Sequence, residues 1–308
     1  MNVESKYVWH QGKIIPFEEA KIHVLNTSLH YGLSVFEGIR SYQTPKGPAI
    51  FRLLDHMKRL QDGLKLLGVE TPPYGLKKTM ESCKQVLKAN HLKEAYIRPI
   101  FYIKEGGWGL SLKDTSWDYS VAAWPWDSYH GEKAKKEGIK AVISSLTRNH
   151  VNVSLTKGKI SGHYVNSALA KAEAQRAGSQ EAILLDHNGT VAECTGQNIF
   201  VVTKGKILTP PSHLILEGFT RETVIEILEE EGQSVSEMPL TRDQLYLADE
   251  VFIVGTANEV LPIIEIDGIS IGNGKPGEIC LMAQFFYDEL VHGKRNPDSE
   301  YIDYIFNN

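Results

Sequence analysis

The chain has 308 residues, of which 42% are hydrophobic and 23% charged, as is usual for a globular protein. This length favours two domains over one core, and the net charge of −5 gives no reason to expect nucleic acid or a membrane surface as a partner. The three cysteines form no CxxC pair, and the histidines have no metal-ligand spacing, so neither a disulfide framework nor a metal site is predicted. The N-terminus lacks the apolar segment of a signal peptide, which predicts a cytoplasmic protein.

The first part of the chain mixes strands and helices. Residues 7–15 predict a hairpin, and apolar residues at helical spacing predict helices from Leu53 to Leu64 and from Leu76 to Leu87. Residues 96–102 and 119–123 predict strands. Residues 124–131 combine aromatic side chains with proline and glycine, which predicts a linker that also contributes surface to a cleft.

The second part alternates helices with hairpins. Residues 164–178, 220–231 and 277–291 predict helices, and hairpins are predicted within residues 182–193, 198–209 and 263–271. The fold class is therefore α+β (mixed α/β). We expect a small N-terminal α/β domain over residues 1–124, an interdomain loop over 125–135 and a large C-terminal α/β domain over 136–308, whose sheet is mainly antiparallel.

Residues 30–40 are apolar enough for a strand but are unusual for one. They contain Gly32 and Gly38, together with the charged Glu37 and Arg40. Because glycine weakens a strand, it is expected there only where another group must approach the backbone closely.

Several residues could carry chemistry, and each also has an ordinary interpretation. Lys159 lies in a glycine-containing segment that is also typical of a basic surface loop, and the residues alone do not separate it from Lys157. A lysine that forms a Schiff base must be largely deprotonated, which burial and nearby positive charge favour. Glu193 ends a hairpin strand and could be a solvated carboxylate, and Arg59 lies off the leucine stripe of its helix, as a solvated arginine would.

Two turns could bind anions. Thr220 opens a helix after Gly218 and Phe219, and a helix N-terminus binds phosphate readily. Thr256 and Ala257 follow a buried strand in a turn whose free amides suit a carboxylate or phosphate, although an ordinary turn explains them equally well. A serine-histidine-aspartate mechanism has no supporting motif, and His56 and His163 are expected to be packing or polar-network residues.

Taken in order, these segments resemble the branched-chain amino acid aminotransferases, pyridoxal-phosphate enzymes of fold type IV, over nearly the whole chain. The resemblance implies reversible transfer of the amino group of L-leucine, L-isoleucine or L-valine to 2-oxoglutarate, as in branched-chain amino acid biosynthesis. It further implies a homodimer as the minimal unit, or a trimer of dimers, in which Tyr31 and the 107–110 loop enter the neighbour's site.

The resemblance also implies a role for each site residue. Lys159 would be the catalytic residue that binds pyridoxal 5'-phosphate covalently, and Glu193 would face the pyridine nitrogen. The implied cofactor-binding residues are Arg59, Lys159, Tyr164, Glu193, Phe219, Thr220 and Thr256. The implied substrate-binding residues are Tyr31, Phe36, Gly38, Arg40, Tyr96, Arg98, Leu110, Tyr129, Thr256 and Ala257, with Trp126 as a further apolar wall. Gln197 and Glu217 depart from the family pattern.

Other activities remain open alternatives. A D-amino acid aminotransferase or an aminodeoxychorismate lyase of the same fold is disfavoured by residues 36–40 and 96–98. A non-catalytic phosphate- or nucleotide-binding protein that uses the glycine turns is the alternative from a different class.

Overall fold

The computed structural model describes residues 5–106, 109–126 and 130–306. The strands are β1 Tyr7–His10, β2 Lys13–Pro16, β3 Ser34–Phe36, β4 Ile39–Thr44, β5 Gly47–Phe51, β6 Ala95–Glu105, β7 Ser116–Pro125, β8 Ile139–Thr147, β9 Glu181–Leu185, β10 Val191–Cys194, β11 Asn198–Thr203, β12 Lys206–Thr209, β13 Val235–Glu237, β14 Glu250–Gly255, β15 Glu259–Ile266, β16 Ile269–Ser270 and β17 Ile302–Tyr304. The helices are α1 Thr27–Tyr31, α2 Leu53–Leu66, α3 Leu76–Ala89, α4 Gly131–Glu137, α5 Tyr164–Arg176, α6 Phe219–Glu230, α7 Arg242–Tyr246 and α8 Glu278–Val291. Short 3₁₀ turns cover Phe17–Glu19, Ser161–His163 and Ser212–Leu214.

The chain divides into two compact units that are discontinuous in sequence. Unit 1 consists of Met1–Asp127, Gly158–His163 and Leu290–Asn308, and unit 2 of Ser128–Lys157 and Tyr164–Glu289. The predicted boundaries were continuous. They differ from the observed units because residues 158–163 bridge to β3 and because β17 joins the sheet of unit 1 beside β5.

Unit 1 is built on an antiparallel sheet with the strand order β17-β5-β4-β6-β7-β1-β2, in which β3 also pairs with β6. Helices α2 and α3 contribute Met57, Leu60 and Val86 to its core, where they meet Trp9 and Phe101 of the sheet. Gly63 lets α2 approach β3, since a Cβ there would lie 2.4 Å from a methyl carbon of Val35.

Unit 2 is built on a mixed sheet with the order β10-β9-β8-β15-β14-β11-β12-β13. The β8–β9, β8–β15 and β12–β13 pairs are parallel, and the other five pairs are antiparallel. The sheet core includes Ile199, Ile253 and Leu261, and Ala170 and Ala174 of α5 pack on the opposite side against Leu184.

Most of the predicted elements are present, with two differences. Residues 30–40 do not form one strand: α1 ends in this stretch, Gly32 takes a left-handed conformation, and β3 and β4 flank Glu37 and Gly38. Residues 125–135 are not loop throughout, because β7 extends to Pro125 and α4 begins at Gly131.

The structure also bears on the cysteines, on metals and on membranes. All three cysteines are free and buried, and burial raises the pKa of the Cys83 thiol to about 12. Within residues 5–106, 109–126 and 130–306, no group of three or more histidine, cysteine or carboxylate side chains could hold a metal ion. Over the same residues, none of the helices combines the length and the apolar character needed to cross a bilayer.

Candidate active site

In unit 1, the segment that carries Lys159 lies directly against β3. The amide of Phe36 donates to the carbonyl of Lys159 at 3.1 Å, and Ser34 and Ser161 share a hydroxyl hydrogen bond of 2.7 Å. Gly32 has a φ of +68°, and a Cβ there would lie 2.6 Å from the Cα of Gly162. The unusual glycine at position 32 is therefore explained by the close approach of the lysine segment.

The side chains of Lys159 and Arg98 both lie close to the ring of Phe36. The Lys159 Nζ is 5.3 Å from the ring centroid, and the Arg98 guanidinium carbon is 4.9 Å from it. The Arg98 carbon also lies 5.3 Å from the centroid of Tyr96, whose hydroxyl accepts a 3.5 Å hydrogen bond from Arg98. One wall of unit 1 thus combines an amine, a guanidinium group and two aromatic rings.

Tyr96 occupies the space that glycine leaves at position 38. A Cβ on Gly38 would lie 1.9 Å from the Tyr96 hydroxyl oxygen, so any other residue there would displace the tyrosine. The Tyr96 ring packs against Trp124 at 5.3 Å and Trp126 at 4.8 Å between centroids. The orientation of the Tyr96 side chain is therefore determined by Gly38 at its hydroxyl group and by the two tryptophans at its ring.

A buried carboxylate binds the arginine of α2. Glu37 is fully buried and accepts hydrogen bonds from Arg59 Nε at 2.5 Å, from Arg59 Nη2 at 2.9 Å and from His56 Nδ1 at 2.8 Å. A bidentate arginine pair of this kind fixes the guanidinium plane as well as its position. Arg59 is therefore a positioned cation and not a solvated arginine.

The protonation states of this network follow from its burial and charges. Although burial raises the pKa of Glu37, the charge of Arg59 and the hydrogen bonds from Arg59 and His56 outweigh that effect and hold the pKa well below its ordinary range. Burial is also the largest influence on His56, and it lowers the pKa of the imidazole despite the neighbouring Glu37. Near neutral pH the network therefore contains an ionised Glu37 and a neutral His56.

In unit 2, Glu193 is held at a β-bulge. Leu185 and Leu184 are adjacent in β9, whereas their partners in β10, Val191 and Glu193, are separated by one extra residue, and this irregularity ends at Glu193. The carboxylate accepts hydrogen bonds from Arg148 Nε at 2.6 Å, Asn198 Nδ2 at 3.1 Å and the amide of Leu216 at 3.4 Å. Glu193 is buried. The interpretation of a solvated strand-end carboxylate is therefore wrong.

Helix α6 begins at a residue without a side chain that could cap its first amides. Gly218 is the N-cap, followed by Phe219 and the buried Thr220. A Cβ on Gly218 would lie 2.1 Å from the Asn198 Oδ1, so the same asparagine that holds Glu193 also requires a glycine here. The N-cap contributes no side-chain cap to the first turn of α6, and the positive end of its helix dipole favours an anion.

The turn of Thr256 and Ala257 joins β14 to β15. It ends at Glu259, which has a left-handed φ of +59° and forms a 2.6 Å ion pair with Lys135 of α4. The ion pair holds a backbone conformation that is uncommon for a glutamate. Tyr164 is the first residue of α5 in the same unit.

The remaining predicted residues are placed as follows. Arg40 is buried, with its guanidinium carbon 4.7 Å from the ring centroid of Tyr42. Tyr31 and Leu110 are exposed apolar side chains, and Tyr129 lies outside the described residues, as do residues 107 and 108 of the 107–110 loop. Gln197 accepts a hydrogen bond from the Gly196 amide through its side chain.

Three residues that hold the site were not predicted from the sequence: Glu37, Arg148 and Asn198. The role of Glu37 toward Arg59 was not predicted, although Glu37 was noted as a charge among apolar residues, which is a usable signal for a buried ion pair. Arg148 and Asn198 had no such signal, because an arginine after a strand and an asparagine opening one are ordinary.

These features agree with comparisons to known proteins. The model of the amino-transferase class IV family matches residues 34–266. The branched-chain-amino-acid aminotransferase of Pseudomonas aeruginosa is 42% identical over 294 residues, which are 96% of this chain and 95% of that protein. The Escherichia coli K12 protein of the same name is 40% identical over 304 residues, or 98% of each chain.

Solved structures give the same result. The crystal structure of the E. coli branched-chain amino acid aminotransferase matches with a TM-score of 0.95 at 39% identity, over 98% of this chain and 100% of that one. The branched-chain amino acid aminotransferase of Thermobaculum terrenum, in its holo form with pyridoxal phosphate, matches with a TM-score of 0.91 at 32% identity, over 99% of this chain and 100% of that one.

The chain belongs to the class IV aminotransferase family. The predictions of a fold type IV architecture and of a pyridoxal-phosphate-dependent branched-chain amino acid aminotransferase are confirmed by these relatives. The alternative activities considered from the sequence are not favoured.

Unit 2 has two features that suit an anionic, phosphorylated cofactor. The Arg148 Nη1 is buried and has no hydrogen-bond partner among the described residues. The first turn of α6, whose N-cap Gly218 has no side chain, offers backbone amides to a phosphate. The residues present therefore fit pyridoxal phosphate.

Proposed function

We propose that the protein transfers the amino group of L-leucine, L-isoleucine or L-valine to 2-oxoglutarate, reversibly, with Lys159 as the catalytic residue. The observation that carries this proposal is the placement of Lys159 and Arg98 beside the same ring, that of Phe36. A substrate amino group and a second, distal carboxylate require an amine and a cation on one apolar wall. Assay of a panel of L- and D-amino acids with 2-oxoglutarate tests the proposal, and activity restricted to D-amino acids would contradict it.

The cofactor would be held at its ring and at its phosphate by different residues. Lys159 would bind it covalently, Glu193 would pair with its pyridine nitrogen, and Tyr164 would contact its phenolic oxygen. Its phosphate would be bound by a set of cationic, hydroxyl and backbone groups: Arg59, Phe219, Thr220 and Thr256. When bound, pyridoxal phosphate supplies a ring that accepts electrons from the substrate α-carbon.

Proton movement is the task of Lys159. Its amine would act as a general base that takes the proton from the α-carbon of the amino acid and as a general acid that returns it in the reverse reaction. The turn of Thr256 and Ala257 binds the α-carboxylate through its amides.

The side-chain pocket must accept an aliphatic chain in one half-reaction and a γ-carboxylate in the other. Its walls would be formed by Tyr31, Phe36, Gly38, Arg40, Tyr96, Leu110, Trp126 and Tyr129. Arg98 serves both substrates, because its guanidinium group can pair with the carboxylate and its long stem can pack against leucine.

Arg98→Leu is expected to raise KM for 2-oxoglutarate and glutamate far more than for leucine. Losing a buried charge-assisted contact costs about 2–5 kcal/mol, which lowers kcat/KM for the dicarboxylates by roughly thirtyfold or more. Separate half-reaction kinetics measure the difference, with Lys104→Leu, an exposed position on the same strand, as control. An equal loss in both half-reactions would instead assign Arg98 to the shared α-carboxylate, and Arg40 would become the candidate for the γ-carboxylate.

Glu193→Gln is expected to retain pyridoxal phosphate but to slow α-proton removal by roughly tenfold or more, since a neutral amide cannot hold the pyridine nitrogen protonated. Single-turnover absorbance changes with leucine measure this step, and the exposed Glu278→Gln provides a control. A single-turnover rate equal to that of the parent would limit Glu193 to a structural role.

The minimal active unit would be a homodimer, which can assemble further into a trimer of dimers. Exposed apolar side chains support this proposal: Ile22, Val24, Leu25, Leu29 and Tyr31 lie close together in sequence, and Leu110 is 78% exposed. Unit 1 also has a largely apolar cavity of about 460 Å³ whose lining includes Ile22, Leu29 and Arg98. A monomer mass by light scattering, together with full activity, would contradict the proposal.

A cytoplasmic location remains a prediction, which cell fractionation tests.

A further inference from the structure

Residues 212–218 of unit 2 form a connection, here called the 212–218 strap, that leads into the first turn of α6. Leu216 of the strap is hydrogen-bonded to Glu193 and to Asn198. The Leu216 amide donates to Glu193 at 3.4 Å, and the Leu216 carbonyl accepts from Asn198 at 3.1 Å. The strap ends at Gly218, the N-cap of α6.

A lysine from a different part of unit 2, Lys157, also contacts the 212–218 strap. The Lys157 Nζ donates to the carbonyl of Ser212, to the carbonyl of Ile215 at 3.3 Å and to the carboxylate of Glu217 at 2.8 Å. An ammonium group has three donors, and these three acceptors match that number. All three acceptors belong to the strap.

The contacts with the carbonyl groups matter more than the ion pair. The side chains of Lys157 and Glu217 are 42% and 60% exposed, and a pair this exposed contributes little to stability. The two carbonyl contacts instead fix the path of the backbone just before Leu216, because Ser212 begins a short 3₁₀ turn and Ile215 is its C-cap.

We propose that Lys157 is a positioning residue that clamps the 212–218 strap and thereby sets both Glu193 and the first turn of α6 for the cofactor. The inference rests on the proposed function, because it assigns Glu193 to the pyridine nitrogen and α6 to the phosphate. It also explains Glu217, the carboxylate that departs from the family pattern next to an expected phosphate seat. Glu217 is directed to the clamp by its ion pair with Lys157.

The test compares three variants of the purified enzyme, stripped of cofactor and titrated with pyridoxal phosphate and, separately, with inorganic phosphate. Lys157→Met keeps most of the unbranched side chain and removes its donors. We expect its Kd for both ligands to rise roughly tenfold or more, which is the effect of losing hydrogen bonds from a charged donor. Glu217→Gln should raise it about threefold, because one acceptor of the clamp loses its charge. Lys206→Met, at an exposed lysine of β12, should leave it unchanged.

A second measurement separates positioning from a general loss of structure. Hydrogen exchange in Lys157→Met should accelerate in peptides covering residues 212–218, while the core strands β11 and β14 keep their protection. Unchanged Kd values in Lys157→Met, or an equal rise in Lys206→Met, would overturn the inference. If Lys157→Met does not fold, Lys157→Gln, which shortens the side chain and removes its charge, decides by the same titrations, and unchanged Kd values there would overturn the inference. Failure of the parent to bind pyridoxal phosphate would instead contradict the proposed function.

Discussion

Lys159→Ala is expected to abolish transamination and to eliminate the visible absorption band of covalently bound pyridoxal phosphate. The variant should still bind the cofactor weakly, because the arginine, the helix N-terminus and the glutamate assigned to it are unchanged. The loss of turnover should exceed a thousandfold, since the same amine attaches the cofactor and moves the α-proton, and proton transfer alone contributes roughly 10²–10⁴-fold. Absorbance spectra and kcat with leucine measure both effects.

Lys157→Met provides the matched control for this experiment. Lys157 donates to two carbonyl groups and to Glu217, so its role is to hold backbone, and at saturating cofactor the variant should keep the absorption band. Borohydride reduction followed by peptide mapping should label the peptide that contains residue 159 in the parent. A Lys159→Ala protein that retains the band and turnover would move the assignment to another lysine.

Glu37→Gln is expected to destabilise unit 1 by about 3–5 kcal/mol and to weaken phosphate binding. Breaking a buried ion pair by neutralising one partner leaves the other charge poorly compensated, which is where this cost arises. Arg59 would keep a hydrogen-bonded neighbour but lose the bidentate charge pair that fixes its plane. Urea denaturation and the Kd for inorganic phosphate measure the two effects.

The exposed Glu94→Gln in the same unit is the control and should change neither quantity.

The effect of Glu37 also depends on pH in a defined direction. Because the folded-state pKa lies below the ordinary value of 4.5, the stabilisation is fully present above that pH and is lost as the pH falls through the lower folded-state value. A parent and variant that differ equally at pH 7 and near pH 2 would contradict this assignment.

Local patterns in the sequence were sufficient to predict most elements, because hairpin turns and leucine spacing act over a few residues. The 188–189 turn between β9 and β10 and the helix of Leu53 to Leu64 are examples. The stretch of residues 30–40 was predicted less well. Its division into α1, β3 and β4 depends on Gly162 and Tyr96, which are distant in sequence and approach the two glycines only after folding.

The site was predicted through resemblance more than through chemistry visible in the residues. Lys159 and Glu193 each had an ordinary interpretation, and their neighbours are what distinguish them. Arg148 reaches Glu193 from the end of β8, and Phe36 reaches Lys159 from β3. Such pairings are set by strand order, which the spacing of residues in one sequence does not contain.

The pairing of β17 with β5 has a consequence for how the protein is made. On the ribosome, β5 emerges long before Ile302–Tyr304, so the edge of its sheet stays open while all of unit 2 is synthesised. An unpaired strand edge is a template for association with other chains. Arg52, the N-cap of α2, also lacks two contacts until Tyr301 is synthesised. The Arg52 amide donates to the Tyr301 carbonyl at 2.6 Å, and the Arg52 guanidinium carbon lies 4.3 Å from the centroid of the Tyr301 ring. Nascent chains stalled before residue 300 should therefore be the species that chaperones hold and that aggregate when chaperones are scarce.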